Sequence, residues 1–142
     1  RWNDIMLRKR YNTLLAYKQT KLANVLFVTE LNRRLRASGS SIQAFALDPG
    51  LVDTDIGFKG TSGIARLVWQ IRSKSGTRPE VPAHWLAYLA LDPAPRSTGK
   101  VYWKDCRPKE PSPYSQKPEI AKRLWELSER MCGIVGCKNV QE

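Results

Sequence analysis

The sequence predicts an α/β fold: the C-terminal portion of a doubly wound parallel sheet, helix-rich, with about two strands. Three observations lead there. Apolar residues recur at helical spacing in four segments, and two short apolar runs of strand length lie between them. The order is helix, strand, helix, helix, strand, helix, and consecutive strands separated by helices lie parallel in one sheet. Two parallel strands alone cannot be covered on both faces and still satisfy their edges, so the pattern is one part of a larger sheet.

The first element is a helix over 12–37. Leu15, Leu22, Leu26 and Leu35 recur at helical spacing, and Ala23, Val25, Phe27 and Val28 widen the apolar face. The stretch Ala23 to Val28 is apolar nearly all round, which calls for cover on two sides, from a core and from another subunit. Arg33, Arg34 and Arg36 put cations in the last turns, where they complement the helix dipole. Ser38-Gly39-Ser40 then stops the helix.

Ile42 to Leu47, ended by Asp48-Pro49-Gly50, has the length and punctuation of a buried strand. A loop leads to a helix over about 62–72, with Ile64, Leu67, Val68 and Ile71 on one face, and Gly76 to Pro79 breaks that pattern. Pro82 to Leu91 reads as a further helix, closed by Asp92-Pro93-Ala94-Pro95, with His84 on an ordinary helix face. Val101-Tyr102-Trp103 is the second strand, and Pro108 to Pro113 reads as an extended connection. A last amphipathic helix over 118–132 lines Ile120, Leu124, Leu127 and Met131 along one side. There is no internal repeat, and 1–142 reads as a single partial domain.

Composition narrows the function. With 142 residues, 42% hydrophobic and 26% charged, the chain has the make-up of a globular domain rather than a disordered one. Its longest apolar run is far shorter than the roughly 18 residues that cross a bilayer. Lys and Arg total 24 against 13 acidic residues, a net charge of +11, which suits an anionic cofactor, an anionic membrane surface or nucleic acid. The cations are spread over Arg8–Arg10, Arg33–Arg36, Arg66–Lys74 and Lys104–Lys109, and Trp69 is the one aromatic inside these blocks, which speaks against nucleic acid. Cys106, Cys132 and Cys137 form no Cys-x-x-Cys pair and His84 stands alone, so no metal is expected. Asp48, Asp53 and Asp55 read as a solvated loop in preference to a cation site.

Chemistry enters with Tyr17 and Lys21. Four residues apart on one helix, they share a face. A phenol has an ordinary pKa near 10, and a neighbouring ammonium favours the phenolate, so such a pair suits a general acid/base acting on a hydroxyl or a carbonyl oxygen. The spacing alone is common in helices, where the two residues are merely exposed neighbours.

The surrounding string is more specific. Tyr17-Lys18-Gln19-Thr20-Lys21-Leu22-Ala23-Asn24 resembles the Tyr-x-x-Ser-Lys-Leu-Ala-Asn signature of short-chain dehydrogenases, with Thr20 in place of the usual Ser. Asp48-Pro49-Gly50-Leu51-Val52-Asp53-Thr54 resembles that family's Pro-Gly-x-Val-x-Thr motif and follows a strand here, as it does in the family. Within the family, Gly99-Lys100-Val101-Tyr102-Trp103 and Arg123-Leu124-Trp125-Glu126-Leu127-Ser128 are similar to segments of the retinol dehydrogenase-like subgroup.

The resemblance implies a Rossmann-type fold and an NAD(P)-dependent oxidoreductase that interconverts an alcohol and a carbonyl on a hydrophobic substrate (retinoid, steroid or other lipid). NADP is placed ahead of NAD as the cofactor. Tyr17 would be the acid/base, and Lys21 would lower its pKa and bond the nicotinamide ribose. Pro49, Gly50 and Val52 would shape the loop beside the nicotinamide, and Thr54 would bond its carboxamide or a phosphate. Local readings stand beside these: Pro49-Gly50 as a plain turn and Thr54 as a helix cap. The segment Ile64 to Lys74 would be a substrate lid or a stretch lying on a membrane surface. The family also implies a homodimer through helix 12–37 and association with the endoplasmic reticulum membrane through an N-terminal segment. Neither the Gly-rich dinucleotide turn nor a clear match to the family's catalytic Ser stands in this sequence; Asp4 and Asn12 are the polar residues nearest that Ser's place, and neither substitutes for it. The expectation is therefore that this chain alone is inactive. The alternative is a truncated product that binds a partner or a membrane surface.

Overall fold

The structure, a computed structural model, describes residues 1–53 and 76–134. Thr54 and the helix expected over 62–72 lie outside the described residues. In chain order the elements are a 3-10 turn (Trp2–Asp4), α1 (Thr13–Ala37), β1 (Ala46–Leu47), α2 (Glu80–Leu91), α3 (Ala94–Ser97), β2 (Tyr102–Lys104), β3 (Arg107–Pro108) and α4 (Pro118–Met131). They divide into two compact units. One comprises Arg1–Ala46 with Glu110–Glu142, the other Leu47–Lys109.

The first unit is built on α1 and α4. Asn12 caps α1, its side-chain oxygen accepting the Leu15 N–H at 2.9 Å. At the other end Gly39 takes φ +72°, and the Ser40 N–H returns to the Leu35 carbonyl at 2.9 Å, a left-handed stop that glycine adopts without strain. Leu26 of α1 and Ala121 of α4 are buried. Phe27 stacks on Trp125 with centroids 5.2 Å apart and planes 11° from parallel. Arg34 lies over the same indole at 4.6 Å and reaches Glu129 at 3.5 Å.

Glu30 is the unexpected member of this packing. Its side chain is 1% exposed, yet it accepts bonds of 2.7 and 2.8 Å from Arg33 and 2.8 Å from Arg34. The Arg33 hydrogen bond and the Arg34 bond outweigh the opposing effect of burial and hold the Glu30 carboxyl below the ordinary range. Arg33 and Arg34 thus serve a buried carboxylate, beyond the dipole role read from the sequence.

Only Ala46–Leu47 of the expected strand Ile42 to Leu47 is strand. The cause is Asn32, buried in α1. Its Nδ2 donates to the Ala44 carbonyl at 2.8 Å, and its Oδ1 accepts the Ala44 N–H at 2.9 Å. One side chain thereby takes both polar groups that a ladder would need.

The second unit carries a small sheet of order β1-β2-β3, with β1 opening it at the boundary between the units. The expectation of about two strands is corrected to three. The added strand takes in Pro108, which was expected to begin an extended connection. β2 and β3 pair antiparallel, Trp103 opposite Pro108 and Lys104 opposite Arg107, so the described sheet is not purely parallel. Their two-residue turn puts Asp105 at φ +53° and Cys106 at φ +55°, the left-handed pair that a tight hairpin requires. Pro108 is tolerated because an edge strand need not donate on both sides. Trp103 is fully buried, bonds the Lys100 carbonyl at 2.9 Å and meets Tyr88 of α2 edge-on at 6.3 Å.

Candidate functional site

Tyr17 and Lys21 stand in the second and third turns of α1, in the first unit. The helix brings them together as their spacing requires: the Lys21 Nζ lies 5.4 Å from the centre of the Tyr17 ring. Tyr17 is 57% exposed. Neighbouring polar residues are occupied locally. The Thr20 hydroxyl donates to the Tyr17 carbonyl at 2.9 Å, and the Gln19 amide donates to the Ile5 carbonyl at 2.7 Å. The Asp4 carboxylate accepts the N–H groups of Arg8 and Lys9 at 2.8 and 3.1 Å. Asp4 and Asn12 are therefore a turn brace and a helix cap.

Pro49, Gly50 and Val52 stand together in the second unit, directly after β1. Gly50 has φ +68°, a conformation that L side chains rarely adopt. Its N–H donates to Asp48 Oδ1 at 2.9 Å, the Asp-led turn that Asp-Pro-Gly encodes. The chain is then pinned by a parallel bridge between Val52 and Thr77: the Asp53 N–H donates to the Thr77 carbonyl at 3.0 Å, and the Thr77 N–H to the Leu51 carbonyl at 2.8 Å. That bridge uses the groups on either side of Val52 and leaves the N–H and C=O of Val52 itself outside it.

Asp48, Lys109 and Tyr102 escaped the sequence reading as a group. Lys109 pairs with Asp48 Oδ2, the Tyr102 hydroxyl donates to the same oxygen at 3.4 Å, and the Lys109 Nζ sits 5.3 Å from the centre of the Tyr102 ring. Burial pushes the Asp48 carboxyl up, but the Lys109 hydrogen bond, the Gly50 N–H and the charges of Lys109 and Lys104 outweigh it and hold it below the usual range. The Asp48 bond raises the Lys109 ammonium in turn. Both Asp48 oxygens are thus committed within the chain, which takes it out of the solvated loop expected for it. Among the described residues no cluster of three potential metal ligands forms.

Homology decides what this arrangement descends from. Human retinol dehydrogenase 13 is 34% identical over 135 residues, covering 89% of this chain and 39% of that protein. Mouse retinol dehydrogenase 14 is 32% identical over 136 residues, covering 94% and 40%. Human retinol dehydrogenase 12 is 31% identical over 133 residues, covering 94% and 41%. Over about nine tenths of its length the chain is thus similar to retinol dehydrogenases. It spans about two fifths of the length of the curated retinol dehydrogenases it matches. No protein-family model matches it. No solved structure matches it either. Among the described residues no helix is long and apolar enough to cross a membrane.

Proposed function

We propose that this chain supplies the proton-transfer side of a short-chain dehydrogenase that interconverts a lipid-like alcohol, of the retinol class, and its carbonyl. The observation that carries the reading is the Tyr17–Lys21 pair, an exposed phenol with an ammonium 5.4 Å from its ring centre, inside a chain homologous to retinol dehydrogenases. In the oxidation direction the Tyr17 phenolate oxygen accepts the hydroxyl proton of the substrate while the carbinol C–H leaves as hydride. In reduction the Tyr17 hydroxyl gives that proton to the carbonyl oxygen. Lys21, whose Nζ lies beside the Tyr17 ring, is assigned to the nicotinamide ribose.

The residues present fit a nicotinamide. A primary carboxamide has a donor and an acceptor side by side, and Val52 keeps one N–H and one C=O outside its bridge to Thr77. At Gly50 the nearest atom to an added Cβ would be Lys104 Cε at 3.9 Å, so the turn leaves room for a group to approach the backbone. Pro49 fixes the turn, and Thr54 is assigned to the carboxamide or a phosphate. When bound, NAD(P) supplies or accepts the hydride; NADP is the form favoured here.

The test is a graft. This chain replaces the matched segment of human retinol dehydrogenase 13, and retinal reduction is followed with NADPH and with NADH. Turnover that vanishes in Tyr17→Phe, with an unchanged melting temperature, supports the reading. Turnover that survives Tyr17→Phe, or a folded graft that binds neither cofactor, overturns it in favour of a non-catalytic module.

A further inference from the structure

We infer that Asp48, held by Lys109, is the positioning residue that sets the Pro49-Gly50 turn in its working geometry, an inference that rests on the reading above and deepens it. The two oxygens of Asp48 have separate jobs. Oδ1 accepts the Gly50 N–H at 2.9 Å and so holds the left-handed residue of the turn. Oδ2 takes the Lys109 ammonium and, at 3.4 Å, the Tyr102 hydroxyl, which fixes the rotamer that keeps Oδ1 in place.

Both partners are rooted in the same hairpin. The Asp48 N–H donates to the Trp103 carbonyl at 2.8 Å, and the Lys109 N–H donates to the Tyr102 carbonyl at 2.8 Å. The turn is thereby referenced to β2 and β3 and not only to its own backbone. Trp103 between these anchors is 2% exposed, so the reference frame is firmly packed.

The exposure of the pair separates a positioning role from a stabilising one. The Lys109 side chain is 42% exposed and that of Asp48 26%, and ion pairs this open to water add little to folding stability. Their geometric effect is undiminished, because one unpaired Asp48 rotamer swing would release the Gly50 N–H. Gly50 cannot be held by packing instead: the space where a side chain would stand holds nothing nearer than Lys104 Cε at 3.9 Å.

Lys109→Met in the 142-residue chain removes the ammonium and keeps the aliphatic stem. Amide exchange measured by NMR should speed up at Gly50 by about fivefold, the loss expected for one hydrogen bond, while the melting temperature stays put. Lys109→Arg should restore the protection, which a simple packing defect would not. Unchanged Gly50 exchange in Lys109→Met overturns the inference whatever the enzyme does. In the graft described above, Lys109→Met should raise the KM for NADPH with Tyr17-dependent turnover still present. Faster Gly50 exchange with an unchanged KM would refute the role of the turn at the cofactor. It would leave the Tyr17 reading standing, because that reading is judged by Tyr17→Phe alone.

Discussion

Glu30→Gln isolates the charge of a buried carboxylate while preserving its shape. The wild-type side chain is 1% exposed and bonded by two arginines, of which Arg34 is 26% exposed and Arg33 is 51% exposed. Screening by solvent makes the Arg33 share small, so the Arg34 bond and the burial of the amide in place of the carboxylate decide the outcome. A charge-assisted bond to a part-buried guanidinium, less the weaker neutral bond that glutamine keeps, comes to about 1 kcal/mol. For a chain of this size that is a fall of roughly 3–4 °C in melting temperature near neutral pH.

The acid dependence supplies a second check. The folded-state carboxyl of Glu30 is lowered, so its stabilisation is present above the unfolded value of about 4.3 and is lost as pH falls through the folded value. Calorimetry of both proteins from pH 7 downward should therefore show the gap between them full at neutrality and closing in acid. A mutant melting within a degree of wild type at pH 7, or a gap that persists unchanged below pH 3, would refute the argument that an ionised Glu30 holds this turn of α1.

Two further substitutions probe the frame around the site. Asn32→Ala should cost about 2–4 kcal/mol, because it strips both Ala44 backbone groups of their partner, and urea unfolding together with exchange at the Ala44 amide measures it; a loss under 1 kcal/mol would mean water replaces the side chain freely. Cys106→Gly should raise stability by up to about 1 kcal/mol, since Cys106 sits at φ +55° in the hairpin turn where glycine is unstrained; a lower melting temperature would show that the thiol packs usefully.

How much of this was legible depends on the distance over which each feature is decided. α1 was expected over 12–37 and runs from Thr13 to Ala37, with Asn12 as its cap; cap, apolar spacing and Gly39 stop are all local signals. The same holds for α4, expected over 118–132 and observed from Pro118 to Met131. The Tyr17–Lys21 face follows from helix geometry alone. The shortened β1 was not readable, since it depends on Asn32 reaching Ala44 from another element. β3 was missed because Asp105-Cys106 lacks the glycine that announces such a hairpin. Asp48 and Lys109 are 61 residues apart, and no periodicity links them. The arginines near Glu30 stand at readable spacings, but whether a charge is buried is a property of packing and not of order along the chain.

The first unit is assembled from the two ends of the chain, Arg1–Ala46 and Glu110–Glu142, with the second unit inserted between them. On a ribosome this fixes a schedule. α1 ends at Ala37 and α4 begins at Pro118, a gap that takes on the order of 4–16 s to synthesise at typical elongation rates. During that interval Phe27 and Arg34 have no Trp125 to meet, whereas the hairpin of β2 and β3 needs only residues already made. That hairpin is thus free to form before α1 and α4 meet. The early helix is the segment that a chaperone would need to shield, and strengthening the hairpin around Trp103 would not shorten its wait.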